Sequence, residues 1–145
     1  MSMIEVKVKR LVADARLPEY KSEGAAGADL YACLTEPITV PAFATVLIPT
    51  GIAIELPPGY QGEIRSRSGL ALKENVFVLN GCGTLDWDYR DELMVILSNF
   101  SSIETMIKPF DRIAQLVIMP VVKASFSHAE LSETPRRGGF GSTGK

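Results

Sequence analysis

The sequence predicts an all-β fold, a sandwich or barrel of short strands with one small helix. Short apolar or alternating runs rich in branched residues recur along the chain at 6–11, 29–34, 44–48, 51–56, 60–66, 76–79, 93–99 and 113–122. Pro41, Pro49, Pro57, Pro58, Gly59, Gly62, Pro109 and Pro120 fall at or near the ends of these runs, where a missing amide or a positive φ is tolerated. Only 68–75 carries a helical composition.

Taken in order, the run 6–11 alternates charge with apolarity, as a half-buried strand does. Pro41 precedes 44–48 and Pro49 closes it, and Pro57-Pro58-Gly59 separates 51–56 from 60–66. The segment 68–75, with Leu70, Ala71, Leu72, Lys73 and Glu74, gives about two helical turns, with Ser68 as candidate N-cap. The turn signal Gly81-Cys82-Gly83 precedes Asp86 and Asp88, and the apolar run Leu93-Met94-Val95-Ile96-Leu97 follows. Both carboxylates are therefore expected at the mouth of a hairpin, outside the core. Spacing of this kind suits a sandwich or barrel, and neither internal repeats nor low-complexity linkers interrupt it.

A chain of 145 residues with 46% hydrophobic and 22% charged residues suits one domain with its own core. No apolar run approaches the roughly 20 residues that span a bilayer, and the first residues alternate instead of building a signal-peptide core, so a cytoplasmic protein without a membrane partner is expected. Cys33 and Cys82 suggest no disulfide framework, and no Cys-x-x-Cys or His cluster offers a zinc site; two small buried thiols are the simple expectation. Net charge is −2; Arg136, Arg137 and Lys145 follow the last acid, which leaves −5 for the first 133 residues and argues against nucleic acid as a partner. The chain divides at that point into a body, 1–133, and a glycine-rich basic arm, 134–145, free to close over a ligand.

Five segments carry chemistry. The turn from Asn80 to Glu92 combines an amide, carboxylates and aromatics. Arg65-Ser66-Arg67-Ser68-Gly69 precedes the short helix, so hydroxyls, guanidinium and free amides can converge on a phosphate; a capped helix with surface arginines is the plainer reading. The tail Arg136-Arg137-Gly138-Gly139-Phe140-Gly141-Ser142-Thr143-Gly144 offers cations, amides, hydroxyls and one aromatic, as a clamp on phosphate and base requires. Ala25-Ala26-Gly27-Ala28-Asp29-Leu30 and Asp111-Arg112-Ile113-Ala114-Gln115-Leu116 each set a polar group beside a buried-looking strand.

Together and in this order the five segments resemble the trimeric deoxyuridine triphosphate nucleotidohydrolases, the dUTPases. Ala26-Gly27-Ala28-Asp29-Leu30 matches the first family motif, Arg67-Ser68-Gly69-Leu70-Ala71 the second, and Gly83, Asp86, Asp88 and Tyr89 with Asn80 the third. The segments 111–116 and 138–144 look like the fourth and fifth. The resemblance implies a jelly-roll-like distorted barrel of the β-clip type, with one short helix and a flexible C-terminal arm. It also implies a homotrimer whose active sites are shared between subunits, and hydrolysis of dUTP to dUMP and pyrophosphate, which limits uracil in DNA and supplies dUMP for thymidylate synthesis.

The same resemblance implies the roles of individual residues. Asp86 is the general base that activates the attacking water. Arg67, Ser68, Gly69, Gln115 and the tail arginines meet the phosphates, with Mg²⁺ held mainly by phosphate oxygens and water. Asp29 is the candidate outer-shell metal contact, or else it braces the Arg67 segment. Asn80, Thr84, Leu85, Asp86 and Met94 form the uracil pocket, Tyr89 packs beneath the deoxyribose, and Phe140 covers the base from the arm, where Gly141 and Ser142 also bind substrate.

Three positions depart from the family pattern. Pro135 stands where an arginine is common, so Arg136, and after it Arg137, is expected to take over the γ-phosphate. Asp91 and Phe110 each replace a common glycine. Trp87 has no role derivable from the sequence. A non-catalytic dUTP-binding regulatory protein on the same fold is the alternative reading; a structural β-trimer would leave the polar motifs unexplained, and a deoxycytidine triphosphate deaminase fits the third and fifth motifs less well.

Overall fold

A computed structural model describes residues 3–144. Eleven strands and one helix follow in the order β1 (Lys7–Arg10), β2 (Ala28–Tyr31), β3 (Ile38–Val40), β4 (Thr45–Pro49), β5 (Ile52–Glu55), β6 (Tyr60–Arg65), α1 (Ser68–Glu74), β7 (Val76–Val78), β8 (Gly83–Leu85), β9 (Met94–Asn99), β10 (Thr105–Ile107) and β11 (Arg112–Pro120). The eight runs marked by composition all become strands. Three further strands, β3, β8 and β10, have three residues each and lie outside the apolar runs; β7, equally short, is legible because the run 76–79 contains it.

The strands form four sheets: β2-β11-β6-β8, β4-β9-β7, β1-β5 and β10-β3. Every pairing is antiparallel. The result is all-β and jelly-roll-like, distorted far enough that the hydrogen-bonded ladder does not close into a barrel. Alternation places the core between the layers. On β9, Val95, Leu97 and Asn99 point inward while Met94, Ile96 and Ser98 remain half-buried. Leu30, Val40, Ile48, Ile52, Ile54, Leu56, Val76, Ile107 and Ile113 complete the interior. Each such side chain contributes roughly 1.5–3 kcal/mol relative to exposure.

Asn99 is the largest polar side chain among the fully buried residues. Its amide nitrogen donates to the carbonyls of Val40 and Ile103 (3.2 and 2.7 Å), and its oxygen accepts from the amide and hydroxyl of Ser101. It thereby joins β9, β3 and the loop that leads to β10.

Three expectations need correction. Ser68 is the first residue of α1 and not its cap. The extended residue before the helix is Arg67, whose carbonyl accepts the first helical bond from Ala71 at 3.1 Å, and no side chain caps the helix. The segment after Gly83 is not a hairpin, because β8 pairs with β6 while β9 pairs with β4 and β7. The chain at 86–93 thus crosses from one sheet to another, although Asp86 and Asp88 lie outside the core as expected. The cysteines are not both buried, since Cys33 is half-buried and Cys82 is exposed.

Candidate active site

The four-stranded sheet brings the first, second and fourth motif segments together. Gln115 on β11 lies opposite Asp29 on β2 and opposite Arg65 on β6. Asp29 is 3% exposed. One of its carboxylate oxygens accepts from the Arg112 guanidinium at 3.1 Å, and the other accepts from the Gln115 amide at 3.3 Å and lies 3.7 Å from Arg67 Nε. Arg67 also donates to the Arg112 carbonyl at 2.9 Å. A buried carboxylate persists only with partners of this kind. Asp29 therefore fixes the start of α1 to β2 and β11 and sets the position of Arg67. Ser68 and Gly69 follow at the exposed beginning of α1.

The neighbouring Arg65 is engaged elsewhere. Its Nε donates to Glu63 at 2.9 Å, and that bond, with a smaller contribution from nearby Cys82, raises its already high pKa further.

The Asn80 turn lies at the same end of the sheet. Gly83 pairs with Ile64, and a Cβ placed on Gly83 would stand 3.1 Å from Asn80 Nδ2 and 3.2 Å from Ile64 Cβ. A side chain at 83 would crowd both groups, so glycine gives the Asn80 amide room to fold back against β8. Thr84 is exposed opposite Glu63. Leu85 is 3% exposed and packs in the core, so only its backbone can face a ligand. Met94, at the head of β9, is half-buried.

Asp86 and Tyr89 form a separate group. The Tyr89 amide donates to the Asp86 carbonyl at 3.2 Å, and the Tyr89 hydroxyl donates to the Glu92 carbonyl at 3.0 Å. The Asp86 carboxylate is exposed, with no hydrogen bond or ion pair among the described residues. Because Leu85 pairs with Gly62, the chain at Asp86 leaves the sheet beyond Gln61, pointing away from Arg65. Four strand residues separate these levels, roughly 13 Å. Within one chain, Asp86 and Arg67 therefore stand in different places.

The arm stands apart as well. From 122 to 144 every residue is exposed, and Phe140 makes no contact with the Asn80 turn. Gly141 has φ +87°, and the Gly139 carbonyl accepts from the Ser142 amide at 3.1 Å. The Arg137 guanidinium turns back onto the carbonyls of Thr134 and Arg136, whereas the Arg136 guanidinium makes no such bond among the described residues.

Sequence reasoning missed two arginines. Arg112 is as close to Asp29 as any other residue in the cluster, and Arg90 spans the Asp86 loop with bonds to the carbonyls of Trp87 and Tyr89. The strand register that brings Arg112 to Asp29 includes a bulge between Arg112 and Ala114, which no local pattern announces.

No group of three or more His, Cys, Asp or Glu side chains suited to a metal occurs among the described residues, and no helix among them is long and apolar enough to cross a membrane.

Comparison with known proteins agrees with this geometry. A family model described as dUTPase matches residues 13–144. A deoxyuridine 5'-triphosphate nucleotidohydrolase of Hydrogenobaculum sp. is 53% identical over 97% of this chain and 99% of its own length. One of Chlamydia pneumoniae is 52% identical over 92% and 94% respectively. Among solved structures, a variant of the Staphylococcus bacteriophage 80alpha dUTPase bound to dUpNHpp superposes with a TM-score of 0.83 at 26% identity, covering 98% of this chain and all of that one. The dUTPase of phage phi11, which coordinates a structural Mg(II) ion, has the same fold with a TM-score of 0.79 at 23% identity, over 88% of this chain and 98% of its own. With a family match over nearly its whole length and relatives at half identity, the chain belongs to the dUTPase family.

Proposed function

We propose that this chain hydrolyses dUTP to dUMP and pyrophosphate, in a homotrimer whose active sites draw residues from more than one subunit. The observation that carries the activity is the identity of about half with nucleotidohydrolases of that name along almost the full chain. The shared site is supported by the separation of Asp86 from the Arg67 segment: Asp86 leaves the sheet at the level of Gln61, roughly 13 Å along β6 from Arg65, and a second copy supplying one of the two would bring base and phosphate ligand to one triphosphate.

Asp86 takes a proton from water as the water oxygen attacks the α-phosphorus. The bond from that phosphorus to the oxygen bridging the β-phosphorus breaks, and pyrophosphate leaves with the electron pair. An exposed carboxylate without a partner is available for this task. Arg67, held by Asp29, meets the phosphates with Ser68, Gly69 and Gln115. Asn80, Thr84, the backbone of Leu85, and Met94 read the uracil edge; Tyr89 lies under the deoxyribose and leaves no space for a 2′-hydroxyl. The arm, 134–145, brings Arg136 to the γ-phosphate, while Phe140 covers the base with Gly141 and Ser142 lining the phosphates.

The residues fit Mg²⁺ as an ion carried by the triphosphate. Asp29 is 3% exposed and both its oxygens already accept from Arg112 and Gln115, which favours a bracing role and leaves any approach to the ion to pass through water. When bound, the ion neutralises phosphate oxygens as charge develops. Hydrolysis of this kind limits uracil in DNA, supplies dUMP and suits a cytoplasmic enzyme.

The test is pyrophosphate release from dUTP, dCTP, dTTP and UTP with Mg²⁺, comparing the intact chain with Asp86→Asn. Release from dUTP alone, lost in the variant, is expected. Binding of dUTP without release points to the regulatory alternative, and ammonia from dCTP to a deaminase.

A further inference from the structure

We propose that Arg90 is a positioning residue for this hydrolysis: its guanidinium, anchored to the β1-β5 sheet, fixes the loop that carries Asp86 and Tyr89. The inference rests on the proposed function for its kinetic consequences and on geometry alone for the anchoring.

The loop 86–93 belongs to neither sheet; Leu93 is buried and secures its end, but residues 86–91 are all exposed, so burial does not hold the part that carries Asp86 and Tyr89. Hydrogen bonds hold it instead. The Tyr89 amide closes a turn on the Asp86 carbonyl, and the Tyr89 hydroxyl closes onto Glu92. Arg90 Nη1 donates to the carbonyls of Trp87 at 2.7 Å and Tyr89 at 3.0 Å. Those bonds are internal to 86–92 and fix its shape; outside it, the Leu93 amide donates to the Ile52 carbonyl at 2.8 Å and the Leu93 carbonyl accepts from Thr50, which place only the end of the loop.

Arg90 ties down the exposed middle. Its Nε lies 3.8 Å from Glu55 Oε2 at the end of β5, and the other Glu55 oxygen accepts from Lys7 Nζ at 3.0 Å, across the Lys7–Glu55 register of the β1-β5 sheet. The Lys7 hydrogen bond foremost, with a smaller pull from Arg90, holds the Glu55 carboxyl below the usual glutamate range. Glu55 thus remains an anion throughout the neutral range. Between loop and sheet lies a groove of about 530 Å³ lined in part by Trp87, Pro57 and Tyr60, which the Arg90 side chain bridges.

A planar guanidinium can grip two carbonyls on one edge and face a carboxylate with the other; a lysine ammonium cannot. The consequence is kinetic because Asp86 must keep a water within hydrogen-bond reach of the α-phosphorus, and a shift of about 1 Å at such a group costs on the order of 100-fold in rate. Tyr89 shares the loop, so the same shift loosens the barrier to a 2′-hydroxyl.

The experiment compares Arg90→Ala, Arg90→Lys and Glu55→Gln with the intact chain by kcat and KM for dUTP and UTP, and by amide hydrogen exchange over 86–92. Arg90→Ala is expected to lower kcat for dUTP by about 100-fold, to narrow the preference for dUTP over UTP, and to speed exchange in the loop while the body is unchanged. Arg90→Lys should recover only part of the loss, and Glu55→Gln should show the same pattern more weakly. A role in stability alone would lower the melting temperature and leave the dUTP to UTP ratio intact. Unchanged exchange in Arg90→Ala overturns the inference whatever the kinetics, as does faster exchange with unaltered kcat and ratio. An intact chain that fails to hydrolyse dUTP counts against the proposed function, while the exchange comparison still decides whether Arg90 fixes the loop.

Discussion

Replacing Asp29 by Asn separates bracing from metal binding. The substitution keeps the volume and one acceptor, but it removes the charge at a site 3% exposed. Two interactions weaken: the 3.1 Å bond from Arg112 and the 3.7 Å approach of Arg67. A hydrogen bond to a charged group contributes roughly 1.5–3 kcal/mol against about 1 kcal/mol for a neutral one. The side chains of Arg112 and Arg67 are 43% and 23% exposed, so solvent screening reduces that difference. Relief from burying an anion offsets a further part. The expected loss is about 1–2 kcal/mol, or about 2–8 °C in melting temperature for a chain of this size. The assay is urea unfolding at one fixed protein concentration, since assembly into the proposed trimer would make the midpoint concentration-dependent, together with a Mg²⁺ titration of dUTP hydrolysis. Bracing predicts a lower urea midpoint with an unchanged Mg²⁺ requirement. An unchanged midpoint with a raised Mg²⁺ requirement would refute the reasoning and make Asp29 an outer-shell metal contact.

Gly51 has φ +70°, and a Cβ there would stand 2.6 Å from Cys33 Sγ and 2.9 Å from Ala15 Cβ. Gly51→Ala should cost about 3 kcal/mol in a thermal or urea melt, and a loss below about 1 kcal/mol would show that this packing yields easily. Phe110, at φ +66°, lies beneath the Arg16 guanidinium, 4.5 Å from the ring centre. Phe110→Gly should be nearly neutral in the intact chain and stabilising by about 1 kcal/mol in an Arg16→Ala background, whereas equal effects in both would deny the coupling. In the arm, Arg136→Ala should raise KM for dUTP roughly tenfold and Arg137→Ala much less; a loss confined to Arg137→Ala reverses the assignment.

The sequence displays its strands wherever a run of four or more apolar, alternating or branched residues contains them, as at 93–99 and 76–79, and hides the short strands β3, β8 and β10 that lie outside any such run. The candidate site residues are legible because their types stand out at turns: Asp86 and Tyr89 after Gly83, and Arg67 before α1. Their partners were not. Asp29 meets Gln115 through the register of β2 on β11, and it meets Arg112 only because a bulge shifts that register. Pairing between residues more than 80 positions apart has no local trace. The hairpin reading of 80–92 failed for a related reason: a turn signal between two apolar runs does not say that the runs pair with each other, and β8 finds its partner in β6.

The two positions where family glycines are replaced behave differently, and backbone conformation explains why. Asp91 is not among the residues with positive φ, so a side chain there incurs no left-handed penalty. Phe110 does have positive φ, at a cost of roughly 1–2 kcal/mol for a residue with a Cβ. Its turn is fixed by backbone bonds on both sides: the Phe110 amide donates to the Ala32 carbonyl at 2.9 Å, the Ala32 amide donates to the Asp111 carbonyl at 2.8 Å, and the Asp111 carboxylate accepts from the Lys108 amide. Those bonds are available whether residue 110 is glycine or phenylalanine. Phenylalanine adds a face for Arg16, which also lies 5.4 Å from the Tyr31 ring, and that contact offsets part of the conformational cost. The turn then leads directly into Arg112, whose guanidinium completes the Asp29 cluster. The path of the chain into the site is therefore set by hydrogen bonds that ignore the side chain at 110, which is why a bulky residue can occupy a glycine conformation there without displacing Arg112.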